Sequence, residues 1–454
     1  MESGYRPRTI REELRANLTD AIRDGRNPFP GIVGYDHTVI PAVMNAILAG
    51  QDILFLGERG QAKTRLARGM TNLLDEWVPF LTGSDIPDDP VAPATRQGKR
   101  IVDEKGDMAP IVWIHRSERF AEKLATPDTS IADLIGEIDP IKIAEGRYLT
   151  DEDALSPGLI PSSNRSVFNL NELPDLAERI QVGLLNILEE QDVQIRGFRL
   201  RIPLDIFIVA SANPEDYTNR GRIITPLKDR FGSQIRTHYP HTAELEMEIA
   251  DQERARVQIP GIETSFPTFM KQVIAMATRL ARESDDISSR SGVSVRASIA
   301  NFELVEASAV QRALRNGEGV AAPRVSDLDA CVEPMIGKLE FEHFGSRSDA
   351  DIVRELFGAA MHRVFAATVS DNQLEPVERA FANGFEIDLS IRTPADAIVE
   401  RMRRIDGLTI PEPFSGDSAS AASWLEFVVE GLVQHGVLQR TELGSTRRYA
   451  GSGA

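Results

Sequence analysis

The sequence predicts an α/β domain, a parallel sheet sandwiched by helices, followed by domains made mainly of helices. Three observations predict it. Between residues 52 and 213, short apolar segments of strand length alternate with stretches of helical periodicity, the succession that sets strands side by side in parallel. A glycine-rich turn, Gly57-Glu58-Arg59-Gly60-Gln61-Ala62-Lys63-Thr64, follows the first of these strands and opens a helix. From about residue 241 the strand-like segments stop, and three long stretches keep a helical repeat.

Each element follows from local pattern. Residues 8–26 read as one amphipathic helix, with Ile10, Leu14, Leu18 and Ile22 every four residues and Gly25 at its stop. A rigid loop with two prolines and two glycines, NPFPGIVGY, leads into a helix ending at Gly50. Asp52 to Leu56 form the first strand, and the helix after the glycine turn buries Leu66, Met70, Leu73 and Leu74. Residues 82–110, rich in Asp, Pro and Gly, read as an exposed loop, and Pro110 to His115 as the second strand. Residues 128–166 suit an inserted hairpin with loops. RSVFNLNEL carries a third strand, LAERIQVGLLNILEEQ a helix, and IPLDIFIVASANP a fourth strand running into a polar turn. The expected organisation is an N-terminal helix (1–28), an α/β core (29–240), a helical domain (241–345) and a mainly helical region (346–454). In the last, the tail VLQRTELGSTRRY suits a small hairpin turning at Gly444-Ser445, which leaves a winged-helix-like end open.

Composition narrows the function classes. Of 454 residues, 42% are hydrophobic and 26% charged, near the soluble globular average. No run approaches the roughly 20 apolar residues of a spanning helix, and the charged start MESGYRPRTIREELRANL has no apolar core of a secretory signal. One cysteine, Cys331, cannot form an internal disulfide, so a cytoplasmic setting is expected. With 51 basic against 69 acidic residues, the net charge of −18 repels phosphate backbones and disfavours a dedicated nucleic-acid binder.

The glycine turn carries the sharpest chemistry. In a strand–turn–helix context, its backbone N–H groups and the helix N-terminus face phosphates. Lys63 reaches the β- and γ-phosphates, and the Thr64 hydroxyl is placed to ligate Mg²⁺. Ala62 stands where the usual pattern has glycine, and its methyl is tolerable if φ is negative. Next comes Val167-Phe168-Asn169-Leu170-Asn171-Glu172, a strand ending at a carboxylate. Glu172 suits a base that polarises the attacking water, whereas Asn171 occupies the position where an Asp would join the magnesium shell. Asp175, three residues on, is a candidate to compensate. Ala210-Ser211-Ala212-Asn213-Pro214 places a polar residue after the fourth strand, between γ-phosphate and water. Thr225-Pro226-Leu227-Lys228-Asp229-Arg230-Phe231 offers an arginine at a helix end, suited to a neighbour's nucleotide, with Arg220 and Arg222 as its alternatives. Ser294-Val295-Arg296 puts an arginine at a helix start in the second domain. Of seven scattered histidines only His238 and His241 are close, too few for a zinc site.

Together and in this order, these motifs resemble the AAA+ ATPases, and within them the branch of the MoxR proteins and the magnesium-chelatase ATPase subunit, over residues 29 to about 340. The resemblance implies a P-loop core with an insertion in its second helix, carried here by Ile135-Gly136-Glu137-Ile138-Asp139-Pro140 through Ser156-Pro157-Gly158-Leu159-Ile160, and a helical lid. It implies that Val33-Gly34-Tyr35 flank adenine and that ATP with Mg²⁺ is the cofactor, held by residues 57–64 and Arg65. Asn213 then corresponds to sensor 1, Arg230 to the arginine finger and Arg296 to sensor 2. It further implies a homo-oligomeric ring, a hexamer, acting on a partner with a von Willebrand A domain, metal insertion into a tetrapyrrole being a narrower version. Two other classes stand against it. A nucleotide-dependent switch with weak turnover has Asn171 in its favour. A transcription or replication factor is opposed by the acidic balance and by the lack of a DNA-binding motif.

Overall fold

Five parallel strands form the central sheet of the computed structural model, in the spatial order Ser233–Arg236, Ile53–Leu56, Ile206–Ala212, Ser166–Asn171, Phe120–Leu124. Numbered along the chain this is 5-1-4-3-2, the strand order of the AAA+ core, and it fixes the fold class independently of any relative. The structure describes residues 5–144, 154–194, 201–213, 221–288, 292–342, 347–444 and 446–452. It divides into two units, Met1–His238 and Tyr239–Ala454. All four residues of Ile53–Leu56 and all seven of Ile206–Ala212 are buried, as in sheets covered on both faces.

The two edge strands, Phe120–Leu124 and Ser233–Arg236, are the ones the sequence pattern does not reveal. Their sequences, FAEKL and SQIR, are half polar because an edge strand keeps one flank in solvent. The apolar run expected as the second strand of this sheet, Ile111–His115, lies elsewhere. It pairs antiparallel with Trp77–Leu81 in a separate hairpin, where Ile111, Val112 and Trp113 are exposed. Residues 82–110 are not all loop: Arg96–Lys105 is a helix whose N-cap Thr95 accepts from Gly98 N. The expected single helix after Glu172 is two short ones, Glu178–Gly183 and Leu185–Glu190.

Helix Ile10–Arg23 begins in a capping box formed by Thr9 and Glu12. Ile10, Leu14 and Leu18 are buried as expected, but the stripe closes on Ala21, and Ile22 is exposed. The helix clamps the N-terminal edge of the sheet. Arg11 pairs with Asp52, Ile10 N donates to Asp205, and Glu13 forms a buried bidentate pair with Arg119 at 2.7 Å for both bonds. Within the insertion, Gly136–Ile138 pairs antiparallel with Leu155–Pro157; residues 145–153 lie outside the described ones.

The second unit has a large apolar core drawing on residues from Ala250 to Tyr449, with a small separate cluster around Ala309 and Ala313. Phe269, on helix Thr268–Glu283, stacks on Phe427 of helix Ser418–Gln434 at 4.4 Å between ring centroids. At the C-terminal end the chain runs helix Asp371–Ala382, strand Ile387–Ser390, helices Ala395–Met402 and Ser418–Gln434 (with a short turn of helix at 412–415), then strands Leu438–Leu443 and Thr446–Gly451. The last strand lies between the other two, the strand order of a winged helix. Its third main helix, Ser418–Gln434, is buried along almost its whole length. Among the described residues, no helix is long and apolar enough to cross a membrane.

Candidate functional site

The site grows from the C-terminal ends of three neighbouring strands. Ile53–Leu56 leads into the glycine turn, whose backbone is shaped by close packing. A Cβ on Gly57 would come within 1.8 Å of Thr237 Oγ1 and 2.3 Å of Gln61 Oε1, so only glycine fits. Gln61 Oε1 accepts from Glu58 N at 3.0 Å and from Thr237 Oγ1 at 2.7 Å, which ties the loop to the end of the edge strand. Ala62 has φ 54°, not the negative value expected for a tolerated methyl. Its left-handed backbone costs about 1–2 kcal/mol, a strain the surrounding loop sustains. Helix Lys63–Gly69 starts immediately after it. Lys63 is buried and donates to Gly57 O and, at 2.8 Å, to Glu58 O, folding its ammonium back over the turn. Gly60 and Gln61 complete the cradle, while Arg59 and Arg65 are exposed beside it.

Asn171 is the hub of the opposite wall. Its Oδ1 accepts from Thr64 Oγ1 at 3.3 Å, Ser211 Oγ at 3.1 Å and Asn169 Nδ2 at 3.1 Å. Its Nδ2 donates to Glu122 Oε1 at 2.6 Å, and the other Glu122 oxygen accepts from Arg68 Nη2 at 2.9 Å. Glu172 follows with φ 53°, a second left-handed non-glycine residue beside Ala62, and its N–H donates to Ser211 Oγ at 3.4 Å. Of four such residues among those described, two lie here, and strain of this kind gathers at functional sites. Asn213 is buried at the end of strand Ile206–Ala212; Pro214 and Arg220 fall outside the described residues.

Tyr35 stands behind the loop, with Val33 and Gly34 half-buried before it. Its hydroxyl donates to Gln61 O at 3.0 Å and His238 O at 2.8 Å, and burial pushes its pKa up to about 12. Residues 33–35, 57–64 and 237–238 thus converge on one corner. Arg230 is elsewhere. It ends helix Thr225–Arg230, three residues before Ser233, and Ser233 is in register with Ile53 at the start of the first strand. The P-loop follows Leu56 at the other end of that strand, so Arg230 and its own P-loop flank opposite ends of two neighbouring strands. There it donates to Glu189 at 2.8 Å through Nε, and to Pro226 O at 2.9 Å. Arg296 belongs to the second unit, exposed on the first turn of helix Val295–Asn316, whose N-cap Ser294 accepts from Arg296 N.

The groups suit a hard, oxygen-seeking divalent cation: a hydroxyl at Thr64 and an amide carbonyl at Asn171 would face it, with the Glu122 carboxylate behind the amide and Glu172 next along the chain. Glu122 is the residue that the motif reading missed. It sits on the unrecognised edge strand, and no spacing rule connects it to the P-loop. Among the described residues, no cluster of three or more His, Cys, Asp or Glu side chains could hold a metal without other ligands.

Strand order and P-loop geometry define the fold class: a P-loop nucleoside-triphosphatase-type core with the AAA+ arrangement. No family model matches the sequence, and no curated protein does. Solved structures with a similar arrangement include a putative ATPase from Cytophaga hutchinsonii, at 15% identity over 76% of this chain and 95% of that one, TM-score 0.32. Another is the complex of subunits BchI and BchD of magnesium chelatase, at 19% identity over 72% and 98%, TM-score 0.37. A third is NtrX from Brucella abortus in complex with ATP, at 13% identity over 81% and 72%, TM-score 0.38. At these scores the likenesses add nothing to what the strand order establishes.

Proposed function

We propose that the chain is an ATP-hydrolysing AAA+ ring protein that remodels or activates a partner protein. The observation that carries this reading is the division of the machinery between the two ends of the sheet. Thr64, Asn171, Glu172 and Asn213 belong to the P-loop end of the strands, whereas Arg230 precedes the start of the neighbouring strand, at the other end, which favours its acting on another subunit's nucleotide. In this reading the loop amides and Lys63 hold the phosphates, with Lys63 exchanging the Gly57 and Glu58 carbonyls for phosphate oxygens. Thr64 and Asn171 would hold Mg²⁺, which when bound neutralises phosphate charge. Glu172 takes a proton from the water that attacks the γ-phosphorus as the bond to ADP breaks. A neighbour's Arg230 stabilises the charge developing on the transferred group.

The partner reading, a von Willebrand A-domain protein with metal or cofactor insertion as its narrower form, rests on the motif resemblance. Burial of helix Ser418–Gln434 supports a protein partner over DNA, because the helix a winged helix would present to a groove is here part of the core. Two variants test the function. Lys63→Ala should lose nucleotide binding and turnover. Glu172→Gln should bind ATP, stall hydrolysis and retain its partner in a pull-down. Wild-type ATPase rates in both variants would sink the assignment. A second reading, a nucleotide switch with weak turnover, is favoured by the neutral Asn171, whose carbonyl already accepts three donors. Normal Mg²⁺·ADP binding with negligible multiple turnover would select it.

A further inference from the structure

We propose that Glu122 supplies the negative charge that Asn171 lacks beside the nucleotide-bound magnesium, as a positioning residue acting through Asn171; this rests on the nucleotide reading above. Three observations lead there. First, the two groups nearest the expected ion, Thr64 Oγ1 and Asn171 Oδ1, are both neutral, so neither offsets a divalent charge. Second, the orientation of Asn171 is dictated by its neighbours. Three donors converge on Oδ1, and a carboxylate faces Nδ2 at 2.6 Å, so the amide has one satisfied orientation, with its carbonyl turned to Thr64. Glu122 therefore polarises the amide and aims it, as outer carboxylates aim metal ligands elsewhere.

Third, Glu122 is itself held. Arg68, one turn after Thr64 on the same helix, donates to its second oxygen at 2.9 Å and lies over the Phe120 ring at 5.1 Å. The Arg68 side chain is 65% exposed and that of Glu122 30% exposed, so solvent screens the cation more than the anion. The carboxylate thus keeps a net field toward the site. Register places it on the strand adjoining the Asn171 strand, with Glu122 opposite Asn169. The charge has moved from one strand to its neighbour, with Asn171 relaying it.

The test is a charge relocation in the full chain, read by calorimetric titration of ADP at a series of MgCl₂ concentrations and in EDTA. Wild type should bind ADP more tightly with Mg²⁺. Glu122→Gln should cut that Mg²⁺ enhancement about tenfold, the low end for losing an outer-shell partner, while leaving affinity in EDTA no weaker. Combining Glu122→Gln with Asn171→Asp should restore the enhancement. Arg68→Gln, which breaks the ion pair and leaves the carboxylate, should not copy the Glu122→Gln loss. An unchanged enhancement in Glu122→Gln, the same loss in Arg68→Gln, or no recovery in the double variant overturns the proposal while leaving the nucleotide site intact. A wild type that binds no ADP at any Mg²⁺ concentration overturns the nucleotide reading first, and this with it.

Discussion

Thr64 Oγ1 donates to Asn171 Oδ1 at 3.3 Å, which joins the first turn of the P-loop helix to the end of a strand two positions away in the sheet. A side chain at 171 is therefore within reach of whatever Thr64 ligates. Asn171→Asp should lower the Mg²⁺ needed for half-maximal ATPase activity, because a carboxylate attracts the ion where an amide only orients its water. The same change replaces the donor to Glu122 Oε1 by a second anion 2.6 Å away, and like charges at that range repel. Without Mg²⁺ the variant should melt earlier than wild type, and Mg²⁺ with ADP should recover the loss. Identical Mg²⁺ titrations in the two proteins would place residue 171 away from the metal.

Thr237 tests the loop's anchorage. Its hydroxyl donates to Gln61 Oε1 at 2.7 Å, and that oxygen also accepts Glu58 N. Thr237→Val keeps the volume and removes the donor, an effect of about 1 kcal/mol for a buried neutral bond. ADP affinity should fall about fivefold on that scale, and amide exchange over residues 57–63 should quicken. Thr237→Ser keeps the hydroxyl and should match wild type in both. Equal exchange in the valine and serine variants would mean that the bond does not hold the loop.

How much of this was legible in the sequence follows from where each residue sits. The three central strands are apolar on both faces, so IFIVASA and ILFL announce themselves; the edge strands FAEKL and SQIR do not. The P-loop is legible because its chemistry is local, a glycine turn between strand and helix. Glu122 and Thr237 are not, because each reaches the site from a different strand, 49 residues from Asn171 in one case and 176 from Gln61 in the other. The φ of Ala62 is illegible for a similar reason: its positive value is imposed by the loop, and its side chain alone argues for a negative one. The run PIVWIH has strand pattern and is a strand, but periodicity cannot say which sheet a strand joins.

Asp205 gives the first unit a pH dependence. Its half-buried carboxylate lies under the N-terminal helix, accepts from Ile10 N at 2.9 Å, and is raised by desolvation from the usual 3.8 to about 6. A carboxyl raised on folding binds its proton more tightly in the folded state. Its contribution to stability is full below about pH 4 and is lost as pH rises through about 6. A shift of that size corresponds to about 3 kcal/mol. Asp205→Asn can still accept from Ile10 N but cannot ionise. It should match wild type near pH 4 and exceed it at pH 8, flattening the profile between. Trp77 and Trp113 report this unit by fluorescence once Trp424, in the other unit, is changed to Phe. Parallel urea midpoints for the two proteins across that range would show that Asp205 is not the titrating group.

Arg230 carries the assembly prediction. Its position three residues before Ser233, in register with the start of the P-loop strand, puts it at the strand end opposite the one that Lys63 follows. In the isolated chain its guanidinium pairs with Glu189, whose side chain is 54% exposed, so this surface pair contributes little and can exchange for a stronger anion. A phosphate on a neighbouring subunit is such an anion, and a finger of this kind is worth roughly 10³–10⁵ in kcat. Arg230→Ala should therefore bind ATP almost as wild type does and hydrolyse it very slowly. Lys63→Ala should be equally inactive for the opposite reason, having lost the phosphate contact while keeping the finger. Mixed under conditions that let subunits exchange, the two should recover activity, because some interfaces then pair an intact P-loop with an intact Arg230. Mixed assemblies that are verified by mass and remain inactive would rule out donation in trans. Brisk hydrolysis by Arg230→Ala alone would remove the finger from this position and direct attention to Arg220 or to Arg222, which pairs at 3.5 Å with Glu178.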